Sequence, residues 1–498
     1  MTSPRAPTLV ERLATFTHGA SYAALPLAVV QESKRLVLDS IGAALAAVDS
    51  PKGRIGIDYG RLTGAAGRAS VIGTGDRLSI FGAAFANAEL INALDMDAIL
   101  PPGHVTPYVL PGALAVAEER GLPGRALLRA VAVSHEISWR VGKAMDYLRD
   151  TRDGQVATPA VYGYSSTVFG ATAAIGVLQD ASAATLAHAL GIAGCISPVN
   201  AQMAWFDHAP SSTIKYLLGG TLTQAAMTAA HMAALGHRGD LQVLDDRAVG
   251  YPRFMGTQRW EPEVITAGLG TDWRFPAETS YKPYAHCRIL HALADVLIAM
   301  VRDNGIRPDE IEGIKVYVEG MVERPIWLNR EISDPMDAQF SIAHGIALAA
   351  HCPPTARAWQ DPARVFDPSV LALMDKVSHA VHPDYVRLLT SHGASRPARV
   401  ELRARGTIFT GERRYPKGSP SPDPDTAMTD AELVAKFHAN AQGLLSRGRA
   451  DALVDAVFGL ETLDDVGLLM ALTAPDGAPA RAAAAQYERG SPNTLPVM

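Results

Sequence analysis

Charge is scarce in this chain. Only 19% of its 498 residues are Asp, Glu, Lys or Arg, only 6% are aromatic, and cysteine occurs three times. Beside 48% hydrophobic residues, that shortage excludes a disordered chain and predicts a large interior, or surface hidden in an oligomer. Cys195, Cys287 and Cys352 form no CxxC pair, which argues against a disulfide scaffold and a zinc cage and fits a reducing, cytoplasmic setting. Basic residues are not in excess either. The 45 Lys and Arg face 51 Asp and Glu, a net charge of −6, so no nucleic-acid footprint is present. Met1 to Val10 lacks the basic and then apolar succession of a signal peptide. The best candidate for a membrane span, Tyr216 to His237, is built from Ala, Thr, Gly, Gln and His rather than Leu and Ile. It reads as a buried helix, and no membrane partner is expected.

What is present is Ala, Leu and Val in helical spacing. Val29 to Ala47 sets Val30, Val37, Ile41 and Leu45 at a 3.6-residue period and puts Gln31, Lys34 and Asp39 on other faces. Phe81 to Leu94 repeats the pattern, and Leu127 to Met145 places Glu136 and Arg140 at i and i+4, where an ion pair can form. From Gly154 to Phe206 the only formal charge is Asp180, and from His208 to His237 it is Lys215. These segments read as interior helices, with Gly170, Gly176, Gly191, Gly194, Gly219 and Gly220 allowing close backbone approach.

After Gly270 the pattern changes. Ile311 to Glu319 and Ala398 to Arg405 alternate apolar and polar residues as half-buried strands do, while Asp337 to His351 and Pro368 to Val377 read as helices. Tyr415 to Asp425 is a loop, and Thr429 with Glu432 opens a further helix through a capping box. The expected fold is mainly α: a helical domain from residues 1–272 and 409–475, an inserted α+β lid over 273–408, and a flexible tail over 476–498.

Several familiar motifs fail. Ser165 lies in GYSST, which lacks the second Gly of a nucleophile elbow. His135 and Glu136 lie in HEISW, with Trp139 where a zinc protease needs His. No P-loop occurs, and Gly73 and Gly75 lack the third Gly of a dinucleotide fingerprint. His379 and His382 have no evident partners, so no metal site is expected.

Three groups of ionisable residues remain. Lys215 is a lone ammonium among uncharged residues; burying it requires a polar cavity or an anion, unless its stem reaches the surface. Asp95 and Asp97 end a helix in NALDMD. At i and i+2 they diverge, so at most one is expected to share a pocket with His104, which a Pro/Gly-rich turn can present for proton transfer. Lys282, His286 and Arg288 lie in SYKPYAHCR at the expected junction of the two domains, where clefts form, and suit a carboxylate-rich ligand or a solvated basic loop.

Taken together, SKRLVLDSIGAALAA, FGAAFANAELINALDMD, GHVTPYVLPGALAVAEERG with VSHEISWRVG, GYSSTVFGATAAIGVL, IKYLLGGTLTQAAMTAAHMAALGHRG, SYKPYAHCRILHALAD, DAQFSIAHGIALA and YPKGSPSPDPDTAMTDAELVAKF follow the order of the MmgE/PrpD family. The resemblance spans about residues 28 to 445. This family contains 2-methylcitrate dehydratase, cis-aconitate decarboxylase and iminodisuccinate epimerase. The resemblance implies a homodimer, an interdomain active site, a small polycarboxylate substrate and no metal or organic cofactor.

By the same resemblance Asp95 falls on the first carboxylate of LDxDD, His104 on the His of HPS, Lys215 on the Lys before the small-residue helix and Lys282 on the Lys of KxYPxC. The implied roles are proton transfer by His104, tuned by Asp95, and stabilisation of an enolate-like charge by the two lysines. Ser165, Thr167, His286, Arg288 and His344 complete the expected substrate contacts. The chain also departs from the pattern at Ala98, Ile99, Val105 and Thr106, at Ser165 where the family has His, and at His344 where Tyr is usual. Ala98 and Ile99 make one wall more apolar, which suits a larger hydrocarbon substituent, and His344 is a candidate replacement for the missing His at Ser165.

The implied activity is dehydration of a 2-methylcitrate-like acid. Decarboxylation, epimerisation and a non-catalytic binding protein on the same fold are the alternatives.

Overall fold

The computed structural model describes residues 5–147, 149–152, 154–156, 159, 163–199, 202–215 and 217–477. Helices dominate it: α1 (Leu9–Gly19), α2 (Leu27–Ala47), α3 (Pro51–Thr63), α4 (Ile80–Asn92), α5 (Thr106–Glu119), α6 (Gly124–Ala144), α7 (Thr167–Leu178), α8 (Ala183–Ile196) and α9 (Gly219–Ala234). Between α4 and α5 a two-stranded hairpin, β1 (Ile99–Leu100) and β2 (Gly103–His104), turns the chain back on itself.

Small residues set the spacing of this bundle. A Cβ at Gly170 of α7 would lie 2.2 Å from the Ser134 carbonyl oxygen on α6, and one at Gly220 of α9 would lie 2.2 Å from the Phe85 ring on α4. The helices therefore touch backbone to backbone or backbone to ring. Here the uncharged sequence has its structural use, since a charged side chain at such a crossing would have neither room nor solvent.

Further along, α10 (His291–Asp303) and α11 (Ile342–Ala350) accompany a four-stranded sheet of β3 (Ile311–Val318), β4 (Val377–Val381), β5 (Ala398–Ala404) and β6 (Thr407–Arg413), in the order β6-β5-β3-β4. β3 and β4 are parallel, and the other two pairings are antiparallel. The chain then returns to helix in α12 (Asp430–Ala441) and α13 (Arg447–Phe458); Thr429 and Glu432 form the expected capping box. α12 packs across α2, with Gly42 against Phe437. One apolar core runs from Leu9 to Met470 and takes in the inner sheet residues Val316 and Val400.

Several expectations need correcting. The helix expected to reach Leu94 ends at Asn92. The one expected over Asp337 to His351 is two, Pro335–Ala338 and α11, the second capped by Ser341. The one expected to end at Val377 stops at Met374, and Val377 begins a strand. Lys34 and Asp39, on the other faces of α2, are both buried, because helices from the far end of the chain supply partners for them. No helix among the described residues is long and apolar enough to cross a membrane. The expected tail lies outside the described residues from 478 onward.

Candidate active site

Asp95 is the hub of a fully buried cluster. Because α4 stops at Asn92, the chain turns at Asp95 with a left-handed φ of 52°, a conformation Asp tolerates better than most residues. The turn aims the carboxylate at two ammonium groups. Lys215 Nζ donates to Oδ1 at 2.9 Å and Lys282 Nζ donates to Oδ2 at 2.8 Å. Each lysine is also held by a backbone carbonyl, Lys215 by Asn92 O at 3.0 Å and Lys282 by Asp95 O at 2.9 Å.

The hairpin β1–β2 then carries His104 back onto the same cluster. Its Nδ1 lies 2.7 Å from Asp97 Oδ2 and its Nε2 lies 3.5 Å from Asp95 Oδ1. Both carboxylates thus contact the imidazole, which corrects the expectation that only one would. That expectation presumed a helix continuing through Asp97, whereas the backbone has already left it.

The loop is clamped from behind. Asp39 of α2 accepts a hydrogen bond from the Ala98 amide at 3.0 Å and another from Lys436 Nζ at 2.6 Å; Lys436, on α12, also donates to Met96 O at 2.7 Å. A second buried pair stands behind Lys215: Lys52 lies 3.6 Å from Glu89, donates to Asn92 Oδ1 at 3.3 Å, and Glu89 accepts the Gly220 amide at 3.0 Å.

These surroundings shift the protonation equilibria. Burial would raise the Asp95 carboxyl, but Lys215 and Lys282 outweigh it and hold it far below the usual carboxylate range. Burial likewise opposes ionisation of Asp97, yet the nearby His104 keeps its pKa low. Burial pushes Lys215 down to about 8 against the pull of Asp95, and it lowers His104 against the pull of Asp97. Asp95 and Asp97 set two carboxylates against the two ammonium groups, and burial biases His104 toward its neutral form. Such a site can accept a polyanion and return its imidazole to the charged form on binding.

The remaining expected residues are dispersed. Ser165 is buried at the start of the α7 region, one residue from Tyr164, whose ring meets His104 edge-on at 6.0 Å; the Ser165 hydroxyl has no hydrogen-bond partner among the described residues. The Thr167 hydroxyl is turned back to Tyr164 O at 2.7 Å. His286 is buried with both ring nitrogens unpartnered among the described residues; Gly345 of α11 leaves room for its ring, and Trp359 meets it edge-on. Burial, with His344 nearby, pushes His286 down to about 3. Arg288 donates to Lys417 O at 2.7 Å and to Ser419 Oγ at 2.8 Å. The Nε2 of His344 lies 2.9 Å from Val365 O, and no hydrogen bond or ring contact among the described residues joins it to Ser165 or His104. Glu136 and Arg140 form a buried pair at 2.6 Å that pins the backbone of residues 264–275. His379 pairs with Glu323 and His382 with Glu412, and no group of metal-ligating side chains occurs among the described residues.

Asp97, Asn92, Asp39 and Lys436 were not singled out as parts of the cluster by their sequence. Only Asp97 carried a signal, its place in the LDMD string.

Comparison with known proteins gives the chain's relatives. Residues 11–263 match the MmgE/PrpD N-terminal domain and residues 284–460 the MmgE/PrpD C-terminal domain. The chain is 26% identical over 490 residues to the cis-aconitate decarboxylase of Homo sapiens, covering 93% of this chain and 94% of that protein. It is 24% identical over 471 residues to the cis-aconitate decarboxylase of Aspergillus terreus, covering 90% and 92%. It is 23% identical over 474 residues to the cis-aconitate decarboxylase-like protein oryM of Aspergillus oryzae, covering 90% and 93%.

Proposed function

The chain belongs to the MmgE/PrpD family, and we propose that it is a lyase acting on a small polycarboxylic acid without a cofactor, with Asp95, His104, Lys215 and Lys282 as its reaction centre. One observation carries this reading: two buried ammonium groups meet on Asp95, 3.5 Å from an imidazole. The lysines suit the carboxylates of a substrate and the negative charge that accumulates when a carbon α to a carboxylate becomes enolate-like. His104 suits proton transfer to or from that carbon.

Within this class, decarboxylation of a cis-aconitate-like acid is supported best, since relatives of that name span nine-tenths or more of the chain. The C–CO2 bond breaks, its electron pair moves through the alkene to the carbon α to another carboxylate, and His104 delivers one proton there. Binding of a polyanion to a charge-balanced cluster would supply the imidazolium this step uses. No second acid beside His104 is then needed, which fits Ser165 in place of a histidine and His344 engaged by Val365.

Dehydration of a 2-hydroxy acid is the second reading, favoured by the depressed pKa of His104, which suits a base removing an α-proton.

The test is to supply the purified protein with cis-aconitate, 2-methylcitrate and alkylated citrates. Carbon dioxide release identifies decarboxylation, and a new conjugated alkene without carbon dioxide identifies dehydration. Solvent deuterium incorporation without either identifies epimerisation. Absence of all three across the panel would leave a binding protein and overturn the proposal.

The same reading includes a cytoplasmic homodimer and the division into a helical domain, 1–272 with 409–475, and an inserted lid, 273–408. The packing of α12 on α2 supports the return of the chain to the first domain. Exposed Ile55, Tyr59 and Leu62, spaced i, i+4 and i+7 on α3, support a second copy as partner.

A further inference from the structure

Beyond the hairpin, on the side facing the sheet, lies a cavity of about 390 Å³. Gly103, Lys143, Arg149, Glu278, Arg396 and Ser419 are among its lining residues, so one wall is the backbone next to His104. Among the described residues, the cationic side chains around it outnumber the carboxylates. Arg149 and Arg396 share one carboxylate: Glu319 Oε1 accepts from Arg149 Nη2 at 3.1 Å and from Arg396 Nη1 at 2.9 Å. Lys143 is matched by Glu278 at 3.1 Å. Arg288, whose partner Ser419 lines the cavity, is fully buried and has no carboxylate ion pair among the described residues.

This arrangement is costly without a ligand. Two guanidinium groups on one carboxylate, with a third close by, leave positive charge in a region that water screens poorly. Burial and the nearby Arg396 depress Arg288 to about 9, against the pull of Asp295. Arg149 is held in place by Gly393 O at 2.7 Å and by the Ser395 carbonyl. Its Nε and Nη2 both grip Glu319, so Arg149 fixes that carboxylate, while Arg396 gives Glu319 only Nη1 among the described residues and keeps the rest of its planar fork for a flat or tetrahedral oxyanion.

We infer that this cleft is an oxyanion site, separate from the Asp95 cluster, which takes a carboxylate or phosphate group through Arg396 with Lys143 beside it, Arg149 holding Glu319 behind them. The oxyanion has two possible sources, a distal carboxylate of the incoming acid or a free anion such as inorganic phosphate. The inference stands apart from the proposed reaction, because binding to the cleft is measurable without turnover.

Inorganic phosphate titrated calorimetrically into the full-length protein, with chloride balancing ionic strength, tests it. Saturable binding is expected. It should weaken tenfold or more in Arg396→Gln and tighten in Glu319→Gln, which removes the only carboxylate the two arginines share among the described residues. A purely structural role for Glu319 would not produce tightening. Lys143→Gln, at a half-exposed position, should weaken binding by a smaller factor and serves if Glu319→Gln does not fold. The inference is overturned if phosphate shows no saturable heat, or if its binding survives Arg396→Gln and is lost instead in Lys282→Gln, which would place it at the Asp95 cluster. Where turnover is available, phosphate that raises KM at constant kcat identifies the acid's own carboxylate as the natural occupant. A fall in kcat at constant KM identifies a separate anion.

Discussion

Asp95 and Lys215, joined at 2.9 Å, both hold left-handed backbone conformations, with φ of 52° and 58°. The ion pair is thus made by two turns, each outside regular helix, and each turn depends on the other for its charge partner. Removing Lys215 leaves Asp95 held by Lys282 alone, so the loss stays below the about 3–5 kcal/mol that a stranded buried charge costs. Lys215→Met should lower stability by less than that amount, read from denaturant midpoints, and reduce turnover by orders of magnitude.

His104→Ala should behave differently. The loss of the imidazole leaves Asp95 paired with both lysines but takes from the buried Asp97 its 2.7 Å partner, so the protein should still fold, with a moderately lower melting temperature. Turnover should fall by about 10²–10⁴-fold, the usual worth of a positioned proton-transfer group. A large fall in melting temperature with residual turnover intact would show that His104 serves the fold and not the chemistry.

The clamp behind the loop separates positioning from binding. Lys436→Met removes the donor to Met96 O and Asp39 while leaving Lys215 and Lys282 in place. We expect kcat to drop about tenfold with KM little changed, because the carboxylates move relative to the imidazole while the substrate's cationic contacts survive. A rise in KM alone would contradict this.

Acid sensitivity should trace in part to His286. Its pKa is about 3 in the folded chain, against an ordinary value near 6.5 once unfolded, so between these limits the unfolded chain binds the extra proton. This residue therefore makes stability rise with pH from about 3 to 6.5 and fall as the solution is acidified through that window. His286→Leu should flatten the profile there, as followed by denaturation at a series of pH values. The same variant reports whether His286 touches substrate, through KM.

The oligomer is tested on α3. Leu62→Asp should give a sedimentation mass of one chain while leaving the helical circular dichroism unchanged, since Leu62 is 82% exposed in the isolated chain. A single-chain mass for the unaltered protein would remove the homodimer from the proposal.

Much of the cluster was legible before any coordinates. Asp95, His104, Lys215 and Lys282 sit in short strings whose order along the chain is distinctive, and the fold brings all four together. Asp97 was misread because spacing rules hold only inside regular structure, and the helix had ended five residues earlier. The burial of Lys34 and Asp39 lies beyond periodicity for another reason. Helical periodicity reports the neighbours within one helix, whereas the groups that bury these two, Phe458 O with Glu461 and Lys436, arrive from some 400 residues away. The split of Asp337 to His351 into two helices escaped notice because Ser341 caps the second one inside an otherwise continuous apolar pattern.

Lys436 also imposes an order of assembly during synthesis. Residues 95 to 98 leave the ribosome early, but the ammonium that fastens Met96 and pairs with Asp39 is translated more than three hundred residues later. A nascent chain can gather the helices around Asp95, yet the loop that carries Asp95 and Asp97 stays unfastened until α12 emerges and docks on α2. The protein is in this sense locked from its far end: an aborted chain that stops after the sheet would retain Asp95, His104, Lys215 and Lys282 without the fastening that holds them in register.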